Sequence, residues 1–247
     1  MKLTVIGSGD AFGSGGRLQT CYHVSTANSE FLIDCGATAV MGFNRFGRNP
    51  NQVSTIYISH LHGDHFAGLV WWLLHARHVA GRSASLTIVG PEGIQERYNT
   101  AAEALFPGAT SRTPQYELAW LEFSPGVPIT LNGVTAIPHV VRHPSGAPSY
   151  GIRFEADGKT IGFSGDTEWV DELVAVAEGA DLYISECYGF DKEAPFHMSW
   201  QRIKQNIEKL QARRIMLTHM SEAMLAKAGT LKHQRVLIAE DGLELEI

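Results

Sequence analysis

The sequence is poor in cysteine, has no excess of positive charge and contains no long apolar segment, and each absence argues against a class of protein. It has 3 cysteines and no Cys-x-x-Cys pair, which disfavours a disulfide-stapled fold or a structural zinc knot and favours a reducing compartment. A formal net charge of -6 provides no general attraction to nucleic acid. The apolar segment at the N-terminus, Leu3–Ile6, is too short for the core of a signal peptide or a membrane span. We therefore expect a cytoplasmic protein without a membrane contact.

The rest of the composition is that of an ordinary globular protein. Hydrophobic residues make up 44% of the chain and charged residues 19%, which excludes disordered and low-complexity classes. A chain of 247 residues can build one sizeable core. With no linker or charge block in the chain, we expect a single domain over residues 1–247.

Short apolar and β-branched segments between glycines predict many strands, and a smaller number of longer segments predict helices. The predicted strands are Leu3–Ile6, Phe31–Ile33, Val53–Ile58, Leu86–Val89, Val134–Ile137, Tyr150–Phe154, Thr160–Phe163, Leu182–Ile184, Ile215–Leu217 and Val236–Ala239, the last near a C-terminal hairpin. The predicted helices are Phe66–Val79, Glu92–Leu105, Val170–Glu178 and Ser199–Leu210, with Ser199 as an N-cap. The chain has two strand-rich halves, and helices follow the strands in each. This order indicates an α/β fold of the αββα type, a two-sheet β-sandwich flanked by helices.

Three histidines and an aspartate follow the strand that ends near Ile58. Alternation along an extended segment places His60 and His62 on one side, whereas Asp64 and His65, beyond a flexible glycine, can turn toward a neighbouring point. One metal ion cannot use all four groups in this geometry, but two ions a few ångströms apart can share them. Imidazole and carboxylate without thiolate suit two divalent ions, with Zn²⁺ first and Mn²⁺ or Fe as alternatives.

Further ligands are expected at the ends of distant strands, because a rigid sheet aims such residues at one point. Asp166 and His219 each follow a predicted strand, and Asp166 is placed to bridge two ions. His139 and His143 both lie in the segment after Val134–Ile137, and their spacing does not choose between them.

His197 precedes the N-cap Ser199 at the start of a helix, where backbone N–H groups and the helix dipole favour an anion. A histidine at this point can donate a proton to a phosphate or a leaving group. Histidine ligands also need acceptors that set their tautomers, and Asp34 and Glu186, both near strand ends, are the carboxylates we nominate.

The His-x-His-x-Asp-His pattern after a strand resembles the signature of the metallo-β-lactamase superfamily. Five segments further resemble ribonuclease Z, the tRNA 3′-processing endonuclease, and together they span nearly the whole chain: Phe31–Gly36, Ile56–Leu69, Pro148–Phe154, Gly162–Thr167 and Leu217–His219. The pattern is also similar to that of small cyclic-nucleotide and cyclic-ribose phosphodiesterases.

This resemblance implies a role for each candidate residue. One ion would be held by His60, His62 and the loop histidine, the other by Asp64, His65 and His219, with Asp166 bridging. The family places its loop histidine shortly before a Tyr/Phe-Gly pair, which favours His143 over His139. The resemblance also implies that Asp64 orients the nucleophile and that His197, which matches the family's His-Ser-Thr element, is catalytic.

Two departures from ribonuclease Z bear on the substrate. The stretch between His143 and Asp166 holds 22 residues, which leaves no room for the long tRNA-gripping arm that ribonuclease Z inserts there. Of the family's His-Glu-Ala-Thr sequence only the glutamate is kept, as Glu186. Folded tRNA is therefore disfavoured, and a small phosphodiester or a short single-stranded RNA is expected.

We expect a metal-dependent phosphodiesterase. The alternatives are a hydrolase of lactones, thioesters or other carboxyl esters on the same scaffold, and a non-enzymatic binding scaffold. The adjacent Trp71 and Trp72 give the first long helix a wide apolar arc, and ribonuclease Z-like proteins dimerise through this region, so a homodimer is expected.

Overall fold

The computed structural model describes residues 1–247 and contains two mixed seven-stranded sheets packed face to face. The first sheet contains β1 (Lys2–Gly7), β2 (Cys21–Ser25), β3 (Glu30–Ile33), β4 (Val53–Tyr57), β5 (Leu86–Gly90) and β6 (Leu118–Glu122). The second contains β7 (Ile129–Leu131), β8 (Val134–Val141), β9 (Ser149–Ala156), β10 (Lys159–Phe163), β11 (Leu182–Glu186), β12 (Ile215–Thr218) and β13 (Val236–Ile238). The final strand, β14 (Glu244–Glu246), returns to the first sheet beside β1.

Both sheets combine antiparallel and parallel pairs in a way that gathers strand ends at one edge. β3, β4, β5 and β6 are parallel in the first sheet, and β10, β11, β12 and β13 are parallel in the second. The loop after β4 meets the start of β9 across the sandwich, where the Tyr150 N–H donates to Ser59 O at 3.0 Å. His219, after β12, similarly donates its N–H to Ser8 O at 3.1 Å. Polar residues after several strands of both sheets therefore lie together.

Helices cover the outer face of each sheet. They are α1 (Ala39–Arg45), α2 (Gly63–Phe66), α3 (Gly68–His78), α4 (Ile94–Leu105), α5 (Glu172–Ala177), α6 (Trp200–Asn206) and α7 (Glu222–Ala228). The first four belong with the first sheet and the last three with the second. None of these helices has the length and apolar character needed to cross a membrane.

The buried apolar residues form three layers, one between the two sheets and one between each sheet and its helices. These three layers hold together the four layers of helices and sheets. Between the sheets, Phe31, Tyr57 and Phe154 pack with ring centroids 5.2 to 5.7 Å apart. Outside the first sheet, Phe43 of α1 contacts Trp72 of α3 edge to face at 4.8 Å. The third layer joins the second sheet to α5, α6 and α7.

The αββα architecture predicted from the sequence is confirmed, and its details differ in instructive places. Ser199 caps α6 as expected, accepting a hydrogen bond from the Arg202 N–H at 3.1 Å. The helix predicted over 66–79 is α3, which begins at Gly68, and a separate short helix, α2, already begins within the histidine loop at Gly63. The expected C-terminal hairpin is wrong: β13 pairs with β12 and β14 with β1, in different sheets.

Candidate metal centre

Residues 59–65, called here the histidine loop, follow β4 and are held in place by Asp34, a fully buried residue just after β3. The Asp34 carboxylate accepts from the Ser59 backbone N–H at 2.7 Å and from Ser59 Oγ at 2.8 Å. It also lies 2.7 Å from His65 Nδ1. Since a carboxylate accepts, the proton of His65 is on Nδ1 and its Nε2 is available to a metal ion. Asp34 therefore acts as the tautomer-setting carboxylate nominated from the sequence.

His60, His62 and His143 form the first cluster of candidate ligands. Their ring centroids lie 5.1, 4.9 and 4.8 Å apart, and the ring planes cross at 79, 75 and 82°. His143 Nδ1 is 3.1 Å from Phe196 O, an acceptor, which leaves His143 Nε2 free of its proton and 2.9 Å from His62 Nδ1. Ring nitrogens of three histidines thus converge, as binding of one ion requires.

Asp64, His65, Asp166 and His219 form the second cluster, and all four are buried. Asp64 Oδ2 lies 3.2 Å from His65 Nε2 and 3.1 Å from His219 Nε2. Asp166 Oδ2 lies 3.3 Å from each of the same two nitrogens. It is also 3.9 Å from His60 Nε2 of the first cluster. Asp166 is therefore the carboxylate that reaches both clusters.

The residues fit a pair of metal ions. His60 Nε2 is buried without a hydrogen-bond partner, and such an orphaned polar atom is costly unless something binds it. The donors are imidazoles and carboxylates with no thiolate, the set that suits zinc and related divalent ions. The two clusters are consistent with a dinuclear site.

Electrostatics support the same interpretation. Burial acts to lower the pKa of His219, but Asp166 and Asp64 outweigh burial and raise it to about 9. Burial also opposes protonation of His65, whose pKa is nevertheless raised well above its ordinary value by Asp166, Asp64 and Asp34. Burial and the neighbouring charge of His65 keep the pKa of His60 well below its ordinary value. Protons on two histidines thus balance buried carboxylates, and metal ions that bind here must displace them.

His197 lies beside both clusters, in contact with the rings of Tyr188, His219 and His143. It stacks on Tyr188 at 5.0 Å and on His219 at 5.7 Å, and its ring centroid is 4.9 Å from that of His143. Its Nδ1 lies 3.1 Å from Glu186 Oε2, so its Nε2 is free. Burial acts to lower the pKa of His197, but Glu186 outweighs it and raises the pKa. His197 therefore presents a protonatable Nε2 beside both clusters.

Glu186 is the buried carboxylate at the end of β11. Besides His197, it accepts hydrogen bonds from the backbone N–H groups of Thr167 and Met198. Thr167 directly follows Asp166, so one carboxylate supports both the His197 side chain and the loop of the candidate bridging ligand. This is the second acceptor nominated from the sequence.

Backbone strain is concentrated at the same place. Five non-glycine residues have a positive φ, and three of them lie at the site: Asp34 at 59°, Phe196 at 63° and His219 at 54°. The other two, Asn132 and Asp157, directly precede Gly133 and Gly158 in turns between strands, where this conformation is ordinary. Strained non-glycine residues of this kind cluster at functional sites.

All the residues chosen from the sequence converge, namely His60, His62, Asp64, His65, His143, Asp166, His197 and His219. Of the two open alternatives, His143 enters a cluster, whereas His139 lies within β8 opposite Gly151 and enters none. Sequence reasoning did not find Tyr188 or the Phe196 carbonyl. Tyr188 had a usable signal, since it lies two residues after Glu186, but a backbone carbonyl has none.

The fold and the clusters define the class of protein: a metallo-β-lactamase-fold protein with His/Asp clusters that could hold metal ions. Within this class, the family model described as Anti-Pycsar protein Apyc1 matches residues 1–241. The chain belongs to that family.

Relatives of known sequence or structure cover the whole chain at low identity. Ribonuclease Z of Methanosarcina mazei is 23% identical over 311 aligned positions, covering 100% of this chain and 98% of the relative. The metallo-β-lactamase fold protein YhfI from Bacillus subtilis is 24% identical with a TM-score of 0.78, covering 99% of both chains. A diphosphatase of the PhnP family is 21% identical with a TM-score of 0.79, covering 100% of this chain and 97% of the other. These structures share the fold.

A fourth similarity concerns the metal. The Zn²⁺-bound PqqB from Methylobacterium extorquens is 14% identical with a TM-score of 0.72, and the match covers 100% of both chains. This protein shows that the same fold binds zinc elsewhere.

Proposed function

We propose that the protein is a phosphodiesterase that uses two divalent metal ions to hydrolyse a small or single-stranded phosphodiester. The observation that carries the proposal is the meeting of two His/Asp clusters at Asp166, with the free Nε2 of His197 beside them. Relatives described as ribonuclease Z and as a diphosphatase support chemistry at phosphorus.

The metal ions proposed for the clusters are zinc first, with manganese or iron as alternatives. When bound, such ions supply a nucleophilic hydroxide at neutral pH and neutralise phosphoryl oxygens. His60, His62 and His143 would hold one ion, Asp64, His65 and His219 the other, and Asp166 would touch both.

The chain's own groups would then direct the reaction. Asp64 lies between His65 and His219, where a carboxylate can orient the attacking water as well as bind metal. His197 keeps its Nδ1 proton directed to Glu186 and carries a second proton on Nε2 when charged. From there it can stabilise a phosphoryl oxygen or protonate the departing alkoxide.

The proposed substrate is small because the chain has little to hold a folded RNA. β9 and β10 are joined by only Asp157 and Gly158, so no arm extends from the stretch between His143 and Asp166. The alignment to the Methanosarcina ribonuclease Z spans 311 positions against 247 residues here, so that relative carries segments that this chain lacks.

Hydrolysis of bis(p-nitrophenyl) phosphate by the metal-loaded protein tests the proposal. We expect turnover by the wild type and its loss in Asp64→Ala and His143→Ala. His139→Ala is the matched control, because His139 lies in the neighbouring strand outside both clusters, and it should retain activity.

A protein that hydrolyses lactones or thioesters but no phosphodiester would be the carboxyl-ester hydrolase instead. Less than one equivalent of metal per chain would favour a binding scaffold. Cleavage of a 3′-extended precursor tRNA would overturn the proposal that the substrate is small.

We also propose a cytoplasmic homodimer that associates near α3. Trp72 is buried in its own chain, but Trp71 is only half-buried and contacts Phe106 at 6.1 Å. Val79, Leu105 and Phe106 expose 73, 51 and 39% of their surfaces. Sedimentation should give twice the 27.1 kDa of one chain, and a mass near 27.1 kDa would contradict the dimer.

A further inference from the structure

A cavity of about 440 Å³ lies between α3, α4 and the segment 109–116, apart from the candidate metal centre. Its volume is that of an ordinary small-molecule site. The lining comes from the end of α3, one side of α4, the segment 109–116 and the first residues of β6. None of the lining residues belongs to either metal cluster, so a molecule held here would lie outside the site of the proposed reaction.

The charges that line this cavity are all of one sign. Arg77, Arg82 and Arg112 contribute to the lining, and no aspartate or glutamate does. This is unusual in a chain whose formal net charge is -6. A cleft lined by charge of one sign focuses an electrostatic field that attracts ions of the opposite sign. The cavity is therefore expected to select anions.

Backbone carbonyls, and not carboxylates, hold two of these arginines in place. Arg77 donates to Ala109 O at 3.1 Å and to Arg112 O at 2.6 Å. The buried Arg82 donates to the carbonyls of four residues, among them Val53 at 2.7 Å. A carbonyl orients a guanidinium without cancelling its charge. Both side chains are thus fixed in advance and remain positively charged.

The third arginine is available to a ligand. Arg112 is exposed, and the hydrogen bond that it makes uses its backbone carbonyl and not its side chain. Glu103 also contacts this part of the chain, but its carboxylate accepts from the backbone N–H groups of Gly108 and Thr110, at 2.7 and 2.8 Å. Glu103 is not part of the lining and therefore does not neutralise Arg112.

Aromatic rings form the remaining wall of the cavity. Tyr98 of α4 and Trp120 of β6 have ring centroids 5.1 Å apart and ring planes inclined at 36°. The Arg82 guanidinium lies over the ring of Tyr116 at 5.5 Å. Flat apolar surface therefore lies beside fixed positive charge, which is the combination that a ring carrying an anionic group requires.

We propose that this cavity is a binding site for a small organic anion in which an oxyanion group is attached to a planar ring. Arg77 and Arg112 contact the oxyanion, and Trp120 contacts the ring. The site is separate from the candidate metal centre, so the inference does not depend on the proposed phosphodiesterase function.

Calorimetric titration of the metal-loaded protein with three probes tests the site. Naphthalene-2-sulfonate should bind about tenfold more tightly than 2-(methylsulfonyl)naphthalene, which keeps the ring but has no charge, because a hydrogen bond to a charged group is worth about that factor. It should also bind about tenfold more tightly than methanesulfonate, which keeps the charge but has no ring. Equal affinity for the sulfonate and the sulfone, or no binding of naphthalene-2-sulfonate, would overturn the proposal.

Substitution of Arg112 locates the charge preference without disturbing the core. Arg112→Gln should weaken naphthalene-2-sulfonate about tenfold and leave the affinity for the uncharged sulfone unchanged. The matched control is Arg97→Gln, since Arg97 is exposed on α4 but does not line the cavity. It should bind both compounds as the wild type does. Wild-type affinity for the sulfonate in Arg112→Gln, or an equal loss in both variants, would show that the anion binds elsewhere.

Substitution of Trp120 locates the ring. Trp120→Leu should weaken the sulfonate and the sulfone alike, by about tenfold, and leave the ratio of their affinities unchanged. The half-buried Trp169 lies outside this cavity, so Trp169→Leu is the control and should match the wild type. Unchanged affinity for both naphthalene compounds in Trp120→Leu would contradict the assigned ring contact.

A last comparison separates this site from the metal centre. His143→Ala alters the first cluster of candidate ligands and should bind naphthalene-2-sulfonate with wild-type affinity. Weaker binding by His143→Ala would place the sulfonate at the metal centre and overturn the proposal. Loss of phosphodiester turnover with intact sulfonate binding would bear on the proposed reaction alone.

Discussion

The two halves of the chain build the candidate metal centre by different means. The N-terminal half contributes His60, His62, Asp64 and His65 from one loop, whereas the C-terminal half contributes His143, Asp166 and His219 from the ends of three strands. The first set is a local motif that one turn of backbone positions. The second set comes together only once the strands of the second sheet are in register. The candidate ligands of the N-terminal half are therefore neighbours in the sequence, whereas those of the C-terminal half become neighbours only through the topology of the sheet.

Each half nevertheless relies on a single buried carboxylate for support. Asp34 contacts a ligand directly, through His65 Nδ1, and also fixes Ser59. Glu186 contacts His197 and the backbone that follows Asp166. Substitution of Asp34 should therefore lower the metal affinity, whereas substitution of Glu186 should mainly change the position and the pKa of His197, the proposed proton donor.

The largest effect is expected where the two halves meet. Asp166→Ala removes the one carboxylate within reach of both clusters and should lower both metal content and phosphodiesterase activity. The loss should exceed the roughly 100-fold that marks the upper range for residues that only orient a ligand. Metal analysis alongside kinetics checks this, and two equivalents of tightly bound metal in the variant would show that Asp166 does not bridge.

A smaller effect is expected for Asp34→Asn. An amide cannot replace the carboxylate as acceptor for Ser59 N–H, Ser59 Oγ and His65 Nδ1 together, so the histidine loop loses its fixed tautomer. We expect about 10- to 100-fold weaker metal binding, measured by competition with a chelator. Wild-type metal affinity in Asp34→Asn would contradict the supporting role.

Glu186→Gln should affect activity more than metal. The amide weakens the hold on His197 Nδ1 and lowers the raised pKa of that histidine. We expect about a tenfold fall in kcat with near-normal metal content. The alkaline limb of the pH–rate profile should move to lower pH, since an imidazolium with a lower pKa loses its proton earlier. If metal is lost instead, Glu186 serves the Asp166 loop rather than His197.

The smallest expected effect is a difference of about one in the number of protons that a variant releases when metal binds. The pKa of His219, raised to about 9, keeps it protonated at pH 7.5 without metal, so metal binding should release its proton, and the raised pKa of His65 adds to the release. His219→Ala should release one fewer, and His139→Ala should match wild type. Calorimetry in buffers of different ionisation enthalpy measures the number, and equal release by His219→Ala would show that His219 is already neutral.

The same pKa values set the stability of the metal-free protein. Because the folded-state pKa of His219 lies above its ordinary value, its contribution is complete below about pH 6.5 and is lost as the pH rises through about 9. Metal-free protein should therefore melt at progressively lower temperature over that range.

The comparison of the two halves also explains what the sequence could predict. The histidine loop, Asp166 and His219 follow apolar segments, so the strand pattern predicts their position, and the order of strands and helices predicts the αββα fold. The choice between His139 and His143 depended on where β8 ends, which no local pattern specifies. Short elements such as α1 and β7 were not predicted, because tertiary packing rather than propensity stabilises them. The single-domain organisation stays a prediction.

The left-handed backbone at Phe196 places a strained residue beside the candidate metal centre. Its carbonyl accepts from His143 Nδ1, whereas its side chain is 37% exposed. The contact with His143 is made by the backbone, so glycine at this position would relieve the strain and keep the carbonyl in place. Stability can therefore be gained here without removing the group that orients His143.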